Sequence, residues 1–520
     1  LTNGIYTITY TLSDKDDKVV MVLERIVYVF DGAILMERED IGYAIGAKRA
    51  GKVTYTSNKI RNIYISDLNE QTVPSKYVDS WDVSSAQNES VMAYVVNNAW
   101  DNGRYDLYIC GVDKVIAPEN SKDLFANYTN CSSISGFDAL STRDVKNMNG
   151  MFKDNLLITS LDLSKFATSK VTDMSGMFSG MKKATSLDLK AFDTSNVLDM
   201  SFMFNGMEVL NTLDISTFTT NKVTNMTSMF NGLKVLTSLD VSKFDTSNVT
   251  SFECMFRDCQ MVTSLDVSKF VTLKVQNFYA MFENCNKVTV LDISNFDTSK
   301  AKNLASMFNG CSSITNLNVS KFKFDSLDSA TYSETATISG VSVPRNGLYG
   351  MFMGCEKLAN LDLTAWDTSN VTNMAYMFAD CSSITRMNLS NFDTTKVTDA
   401  QHLAGMFRNA NKLESILLGI KFNNLNSSNM FDGCDALKVI IARSTEPAPL
   451  ALDVGLITLN DAILYVPNKV AEGDYEAYTN YVQVFGAERI KPILALVGDE
   501  VVEVVRTGTY TEKGVSVAGF

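Results

Sequence analysis

The stretch LDVSKFDTSNVTSFECMFRDC, residues 239–259, carries the pattern that decides the fold. Its Met255-Phe256 pair is one of eleven such pairs. They begin at Met151, Met177, Met203, Met229, Met255, Met281 and Met307, an unbroken spacing of 26 residues, and return at Met351, Met377, Met406 and Met430. The gaps after Met307 are 44, 26, 29 and 24, which read as insertions of 18 and 3 and a last coil shortened by 2. Self-similarity at this period is the signature of a stacked solenoid.

Within one unit, Val171, Met174, Met177, Phe178 and Met181 fall at i, i+3, i+6, i+7 and i+10. That spacing predicts one face of a short helix of about two to three turns. Ten residues after each Met comes a Leu-x-Leu alternation, such as Leu187/Leu189 and Leu265/Val267, which predicts a half-buried strand. A Phe follows (Phe192, Phe244, Phe296; Trp366 once), then a polar corner such as Asp193-Thr194-Ser195-Asn196. No unit of this length encloses its own apolar face, so each must be covered by its neighbours. The expected fold class is an α/β solenoid: a leucine-rich-repeat-like, right-handed stack of parallel strands and short helices, with β-sandwich segments at both ends. Strands stacked at roughly 4.8 Å would make eleven coils span about 50 Å.

The motif LDxSxFDTSxVTxMxxMFxxC resembles the BspA-like leucine-rich repeats of microbial surface proteins, over residues 131–440. That resemblance implies an extracellular or cell-surface location and an adhesion or surface-layer role rather than catalysis. It supplies no residue-level binding site.

Nine cysteines are present, and six share one repeat position, four after Met: Cys259, Cys285, Cys311, Cys355, Cys381 and Cys434. Met181, Met207 and Leu233 fill it elsewhere, so the position wants a compact apolar group and the thiols read as buried small hydrophobes. Zinc competes poorly without a Cys-x-x-Cys pair or partner His. Disulfides between coils would disturb the register. The formal net charge of −13 disfavours nucleic-acid phosphate and anionic membranes as partners. No run of 18 apolar residues suggests membrane insertion. With Leu1 first and no recognisable leader or sorting tail, the chain reads as a processed or excised segment.

Five segments are expected. Residues 1–31 form a β-hairpin that resembles the closing half of a bacterial immunoglobulin-like domain. Residues 32–125 form a β-rich N-terminal cap module; its part from 80 to 125 resembles the region that precedes these repeats in the BspA-like family. The solenoid occupies 126–440 and a C-terminal cap 441–491. Residues 492–520 resemble the opening half of an immunoglobulin-like domain. The two halves could belong to a longer tandem chain, be completed by strand donation between subunits, or close within one chain; both could also be mere cut points. Completion between neighbours is preferred, because closure must cross the length of the stack, and it gives an open filament when the geometry does not close. Candidate interface residues are Tyr6, Ile8, Tyr10, Val501, Val504 and Tyr510.

The outward residue between the two Leu positions is Asp188, Asp214, Asp240, Asp266 and Asp292 in successive coils, a candidate ligand face. Stacked carboxylates repel by ~1 kcal/mol per pair in water. Ser hydroxyls, nearby Lys or a cation must offset that; calcium needs six to eight oxygens, more than a flat column offers. The 323–350 insertion, rich in Ser, Thr and Gly, reads as a protruding loop or hairpin, and His402, the only histidine, as an exposed loop residue. No catalytic, cofactor or metal residues are expected; a paired-carboxylate hydrolase is the outlying enzymatic reading. The leading expectation is a non-enzymatic extracellular building block, a fibre or filament of copies joined head to tail. The alternative is an adhesin that binds a host protein or glycan.

Overall fold

A computed structural model describes residues 4–13, 18–29, 33–38, 40–67, 73–101, 103–327, 334–338, 341–422, 429–441, 463–466, 482–485, 494–495 and 501–502. The chain divides into two compact units, Leu1–Asp240 and Val241–Phe520.

In the first unit, β1 (Gly4–Ser13) and β2 (Val19–Val29) form an antiparallel ribbon with Gly4 opposite Val29 and Leu12 opposite Met21. The cap module follows: β3 (Ala33–Ile34), β4 (Ile60–Asp67), β5 (Asp79–Asp82), β6 (Val91–Asn97), β7 (Tyr105–Gly111) and β8 (Val115–Ile116). Alternation buries Val91, Ala93 and Val95 of β6 against Leu107 and Ile109 of β7, the period-two pattern of a half-covered sheet. That sheet has the order β5-β6-β7-β4-β9, where β9 (Ser133–Ser135) already belongs to the coils. Sequence reading placed the first Met-Phe pair at Met151; the structure shows an earlier coil whose Leu124-Phe125 occupies the same place. Phe125 stacks on Phe152 at 5.7 Å, and both rings are fully buried. Arg38 clamps the cap to this coil: its guanidinium lies 4.7 Å from the Tyr128 ring centroid and donates to the carbonyls of Ile41, Tyr43 and Leu124.

The expected short helices are absent. The described residues contain no α-helix, only 3-10 turns at Ser57–Lys59, Phe137–Ala139 and Ala400–Leu403, so the fold is β-rich rather than α/β. The Met-Phe segment is a train of tight turns in which alternate amides point in different directions. The amides of Met174, Gly176, Phe178 and Gly180 donate to the carbonyls of Asp199, Ser201, Met203 and Asn205 in the next coil, while those of Met177, Ser179 and Met181 donate three residues back. A helix would use every amide within itself. Two left-handed residues per coil prevent it. One is the residue before Met, Gly176 at φ 61°; the other lies three after Met, Gly180 at φ 73°. The second position is Gly, Asp or Asn in all eleven coils (Asp154, Gly180 and Gly206, for example), the types that enter this region at least cost. The apolar spacing nevertheless reports burial correctly, since Val171, Met174, Met177, Phe178 and Met181 are all fully buried. Turns of three residues and helical turns share that spacing.

The Leu-x-Leu runs form strands in few coils. In the first unit β10 (Leu140–Ser141) pairs in parallel with β8, and β11 (Ser186–Leu187) with β12 (Thr212–Leu213).

The coils are held instead by two columns. The Phe rings of the Met-Phe pairs stack nearly parallel, Phe152–Phe178 at 5.9 Å and Phe178–Phe204 at 5.9 Å, an offset aromatic ladder. Burying each ring contributes about 2–3 kcal/mol. In most coils the buried Thr of the polar corner staples its neighbour. Thr194 Oγ1 accepts from the Thr219 amide at 2.7 Å and donates to the Thr219 carbonyl at 3.0 Å. Thr168 does the same with Asp193.

The second unit repeats this scheme. Phe282–Phe308 is 5.8 Å, Phe308–Phe352 5.6 Å and Phe378–Phe407 5.5 Å, so neither insertion breaks the register. Thr272 staples Asp297, Thr298 staples Lys323 and Thr368 staples Asp393. The larger insertion contributes an antiparallel hairpin, β13 (Thr335–Ile338) and β14 (Val341–Pro344). Here the Leu-x-Leu runs do reach sheet geometry. β15 (Arg386–Leu389), β16 (Ser415–Leu418), β17 (Val439–Ile441), β18 (Ile463–Val466) and β19 (Val482–Phe485) form a parallel sheet in that order. β20 (Leu494–Ala495) pairs antiparallel with β21 (Val501–Val502).

The Thr staple yields a direct test. Thr194→Val strands a buried amide and carbonyl, so the denaturation midpoint should fall by the equivalent of about 1–3 kcal/mol, whereas Thr194→Ser, which keeps the hydroxyl, should lose less.

Candidate functional site

The acidic column lies where the repeat places it, exposed at Asp188, Asp214, Asp240, Asp266 and Asp292. Its carboxylates are engaged locally. Asp188 Oδ1 accepts the Lys190 amide at 3.2 Å and Asp214 Oδ1 the Ser216 amide at 3.1 Å. Asp266 and Asp292 each accept both the amide and the hydroxyl of the Ser two residues on. These are Asx turns, and where strands form, at β11 and β12, they end just before Asp188 and Asp214. The Ser294 hydroxyl and amide hold the Asp292 carboxyl below the usual carboxylate range, and Ser164 does the same for Asp162. Hydroxyls thus help offset the stacked charge. Among the described residues, no three His, Cys, Asp or Glu side chains converge as a metal ion would require.

The six repeat-position cysteines are buried and free of disulfides. The thiols of Cys285, Cys311, Cys355, Cys381 and Cys434 each donate to a Phe carbonyl of the preceding coil, at 3.0–3.2 Å. The position therefore uses a weak donor as well as small size. Burial pushes the Cys311 and Cys381 thiols up to about 12, which removes the reactive thiolate.

Of the candidate interface residues, Tyr6, Ile8 and Tyr10 lie at alternate positions of β1, and Val501 lies in β21 opposite Ala495. Val504 and Tyr510 fall outside the described residues. His402 is half-buried on the Ala400–Leu403 turn, not exposed in a loop, with Nδ1 3.1 Å from the Thr372 carbonyl.

Sequence reading missed two features. The residue four before each Met is mostly Asn or Asp (Asn147, Asp173, Asp199, Asn225, Asn277, Asn303, Asn373), and its Oδ1 accepts the amide two residues on, opening each train of turns. The recurring Asn/Asp before the repeat was the available signal. The second is a charged cluster at the base of the 323–350 insertion. This base does not protrude. Arg345 Nη2 lies 2.6 Å from Glu283 Oε1 and its Nη1 3.1 Å from Glu334 Oε2. Arg257 reaches Glu283 at 2.8 Å and Glu334 at 3.4 Å. The Tyr279 hydroxyl donates to Glu334, and Arg345 stands over the Tyr279 ring at 5.2 Å. Residues 62 apart in sequence meet here, so no local pattern announces the cluster.

Fold and site together define a β-rich repeat protein whose side chains are spent on joining one coil to the next. The chain belongs to the family described as "Mycoplasma protein of unknown function, DUF285", which matches residues 119–234, 178–290, 206–322 and 345–443, together more than half of the sequence. No curated protein sequence matches the chain. Among solved structures, the pneumococcal vaccine antigen PcpA is similar at 11% identity, covering 92% of this chain and 99% of that one, with a TM-score of 0.32. The TLR13–ssRNA13 complex is similar at 12% identity over 68% and 54% of the two chains, with a TM-score of 0.18. Among the described residues, no helix is long and apolar enough to cross a membrane.

Asp393 gives this chemistry a pH dependence. Burial alone would raise its carboxyl, but the Thr395 hydroxyl and amide and Lys421 at 3.0 Å outweigh it and hold the carboxyl below its ordinary value. Its contribution is therefore complete above the unfolded value, about 3.9, and lost as pH falls through the lower folded value. Asp393→Asn should flatten that acid limb in denaturation curves taken from pH 6 to pH 2, with Lys421 left unpaired throughout.

Proposed function

We propose that this chain is a non-enzymatic building block of an extracellular or cell-surface fibre, in which copies join head to tail. The coils are read as a right-handed solenoid of the BspA-like kind, and the terminal β segments as halves of immunoglobulin-like modules completed between neighbours.

The observation that carries this reading is the β1–β2 ribbon. It runs ten and eleven residues, and among the described strands its two members pair only with each other. A two-stranded ribbon of that length is marginal in water and gains most from a further strand on an open edge. A heterologous contact of this type propagates as a filament when it does not close.

A second reading, an adhesin for a host protein or glycan, is favoured by the exposed, turn-held Asp column. Light scattering across a wide concentration range, with electron microscopy, separates the two. The fibre reading expects end-to-end polymers that grow with concentration, and expects Thr7→Lys with Thr9→Lys, which charge the β1 strand, to abolish them. A chain that stays monomeric at every concentration contradicts it.

A further inference from the structure

The five-stranded sheet of the cap turns two unlike faces outward and inward. Its inward positions, such as Val91, Ala93 and Val95 on β6 and Leu107 on β7, are fully buried. The outward face of such a sheet ordinarily alternates to polar residues. Here one row of residues, each opposite the next, crosses it as Ser80, Tyr94, Tyr108, Tyr64 and Ser135. The following row is Val96, Asp106, Asn62 and Ser133. The Tyr64 and Tyr108 rings stack at 4.7 Å, and both side chains are half-buried.

A short network runs from the second row to the end of β6. Asp106 Oδ1 accepts the side-chain amides of Asn62 at 2.8 Å and Asn98 at 2.9 Å. The hydroxyls of Ser132 and Ser133 donate to Asn62 Oδ1, each at 2.9 Å. At the other end the Trp100 amide donates to Asn98 Oδ1 at 3.0 Å. The network therefore fixes a carboxylate and, beside it, the backbone of Trp100. Both amides use Oδ1, so among the described residues Oδ2 of Asp106 accepts no hydrogen bond. The Trp100 side chain is 97% exposed, whereas Trp81 and Trp366 are 5% and 1% exposed.

Charge complementarity narrows what such a face receives. Arg61 and Arg104 both turn to Asp101, at 3.9 Å and 3.3 Å, and Asp106 has no cation among the described residues. An acidic ligand would meet that carboxylate uncompensated. A protein partner anchored on an indole needs an apolar surround that excludes water, but the residues near Trp100 in the chain are Asn98, Asp101 and Arg104. A sugar ring presents an apolar C–H face to an aromatic ring and a rim of hydroxyl donors to a carboxylate oxygen. Flat aromatic surface beside an open acceptor, set among neutral amides and hydroxyls, matches that combination.

We propose that this end of the cap sheet binds a neutral oligosaccharide: Trp100 stacks on one sugar ring, Asp106 Oδ2 accepts its hydroxyls, and the Tyr64–Tyr108 pair floors the adjoining unit. The site lies on the cap, so the inference rests neither on the fibre reading nor on the Asp column.

The test applies the full chain to a printed array of neutral, sialylated and sulfated glycans, then titrates the strongest neutral ligand in solution. Acrylamide quenching of the intrinsic fluorescence reads Trp100, the exposed one of the three Trp, and a bound sugar should shield it. Trp100→Ala removes a side chain that supports nothing in the fold, so its melting temperature should match the parent while binding weakens by about tenfold or more. Trp100→Phe, which keeps a ring, should lose less. Asp106→Asn keeps an oxygen for Asn62 and Asn98 and puts a donor at the open position, so it should weaken binding as Trp100→Ala does. If it also lowers the melting temperature, Trp100→Ala decides alone. No neutral glycan bound, acidic glycans alone bound, or neutral binding unchanged in Trp100→Ala overturns the proposal. Trp100-dependent binding to phosphatidylcholine vesicles without any glycan bound overturns it too, in favour of a lipid surface.

Discussion

Every coil leaves backbone groups that only the next coil can satisfy. In the turn train of Met174 to Gly180, four amides at alternate positions find their acceptors in the following coil. The buried Thr hydroxyl does the same twice over, accepting and donating to one residue of its neighbour. Unpaired buried amides and carbonyls cost about 1–3 kcal/mol each, so a lone coil is not a stable object. Phe stacking adds area but is less directional; hydrogen bonding sets the register. This dependence also explains how two insertions are accepted. They leave the chain where a coil meets solvent and return to the same ladder, so Phe308 and Phe352 stack as closely as rings 26 residues apart.

Much of this was legible in the residues. The Met-Phe period gave all the coils but the first and the places of both insertions, because a column of identical side chains must recur at the stacking interval. The Cys/Met/Leu exchange at one position identified a small buried site. The local backbone was misread, since i, i+3, i+7 spacing marks one buried face for a helix and for successive tight turns alike. The discriminating signal was polar: Gly, Asp or Asn three after every Met, a left-handed position no helix repeats. Leu124-Phe125 escaped notice because Leu replaces Met there. The Thr in Asp-Thr-Ser-Asn read as part of a polar corner, whereas it is among the most buried polar residues. That a hydroxyl can be fully buried when it is doubly paired is a property of the neighbouring coil, invisible within one repeat.

The candidate sites divide in a similar way. The acidic column was found from periodicity, yet carboxylates in it such as Asp188, Asp214, Asp266 and Asp292 close Asx turns. The charged cluster beneath the insertion joins residues from two coils and a hairpin, so only the fold could reveal it. The cluster at the base of the insertion differs, because its charges also join a hairpin to the coils.

The most direct test of the central dependence is deletion by register. Removing Val171–Asn196, one full 26-residue interval, restores every column, while removing 13 residues, 171–183, puts every later coil out of step. Circular dichroism and thermal unfolding should show the first variant folded and cooperative, with only a modest loss of stability, and the second largely unfolded across the coils. Equal damage from the two deletions, or equal tolerance of both, would contradict the account.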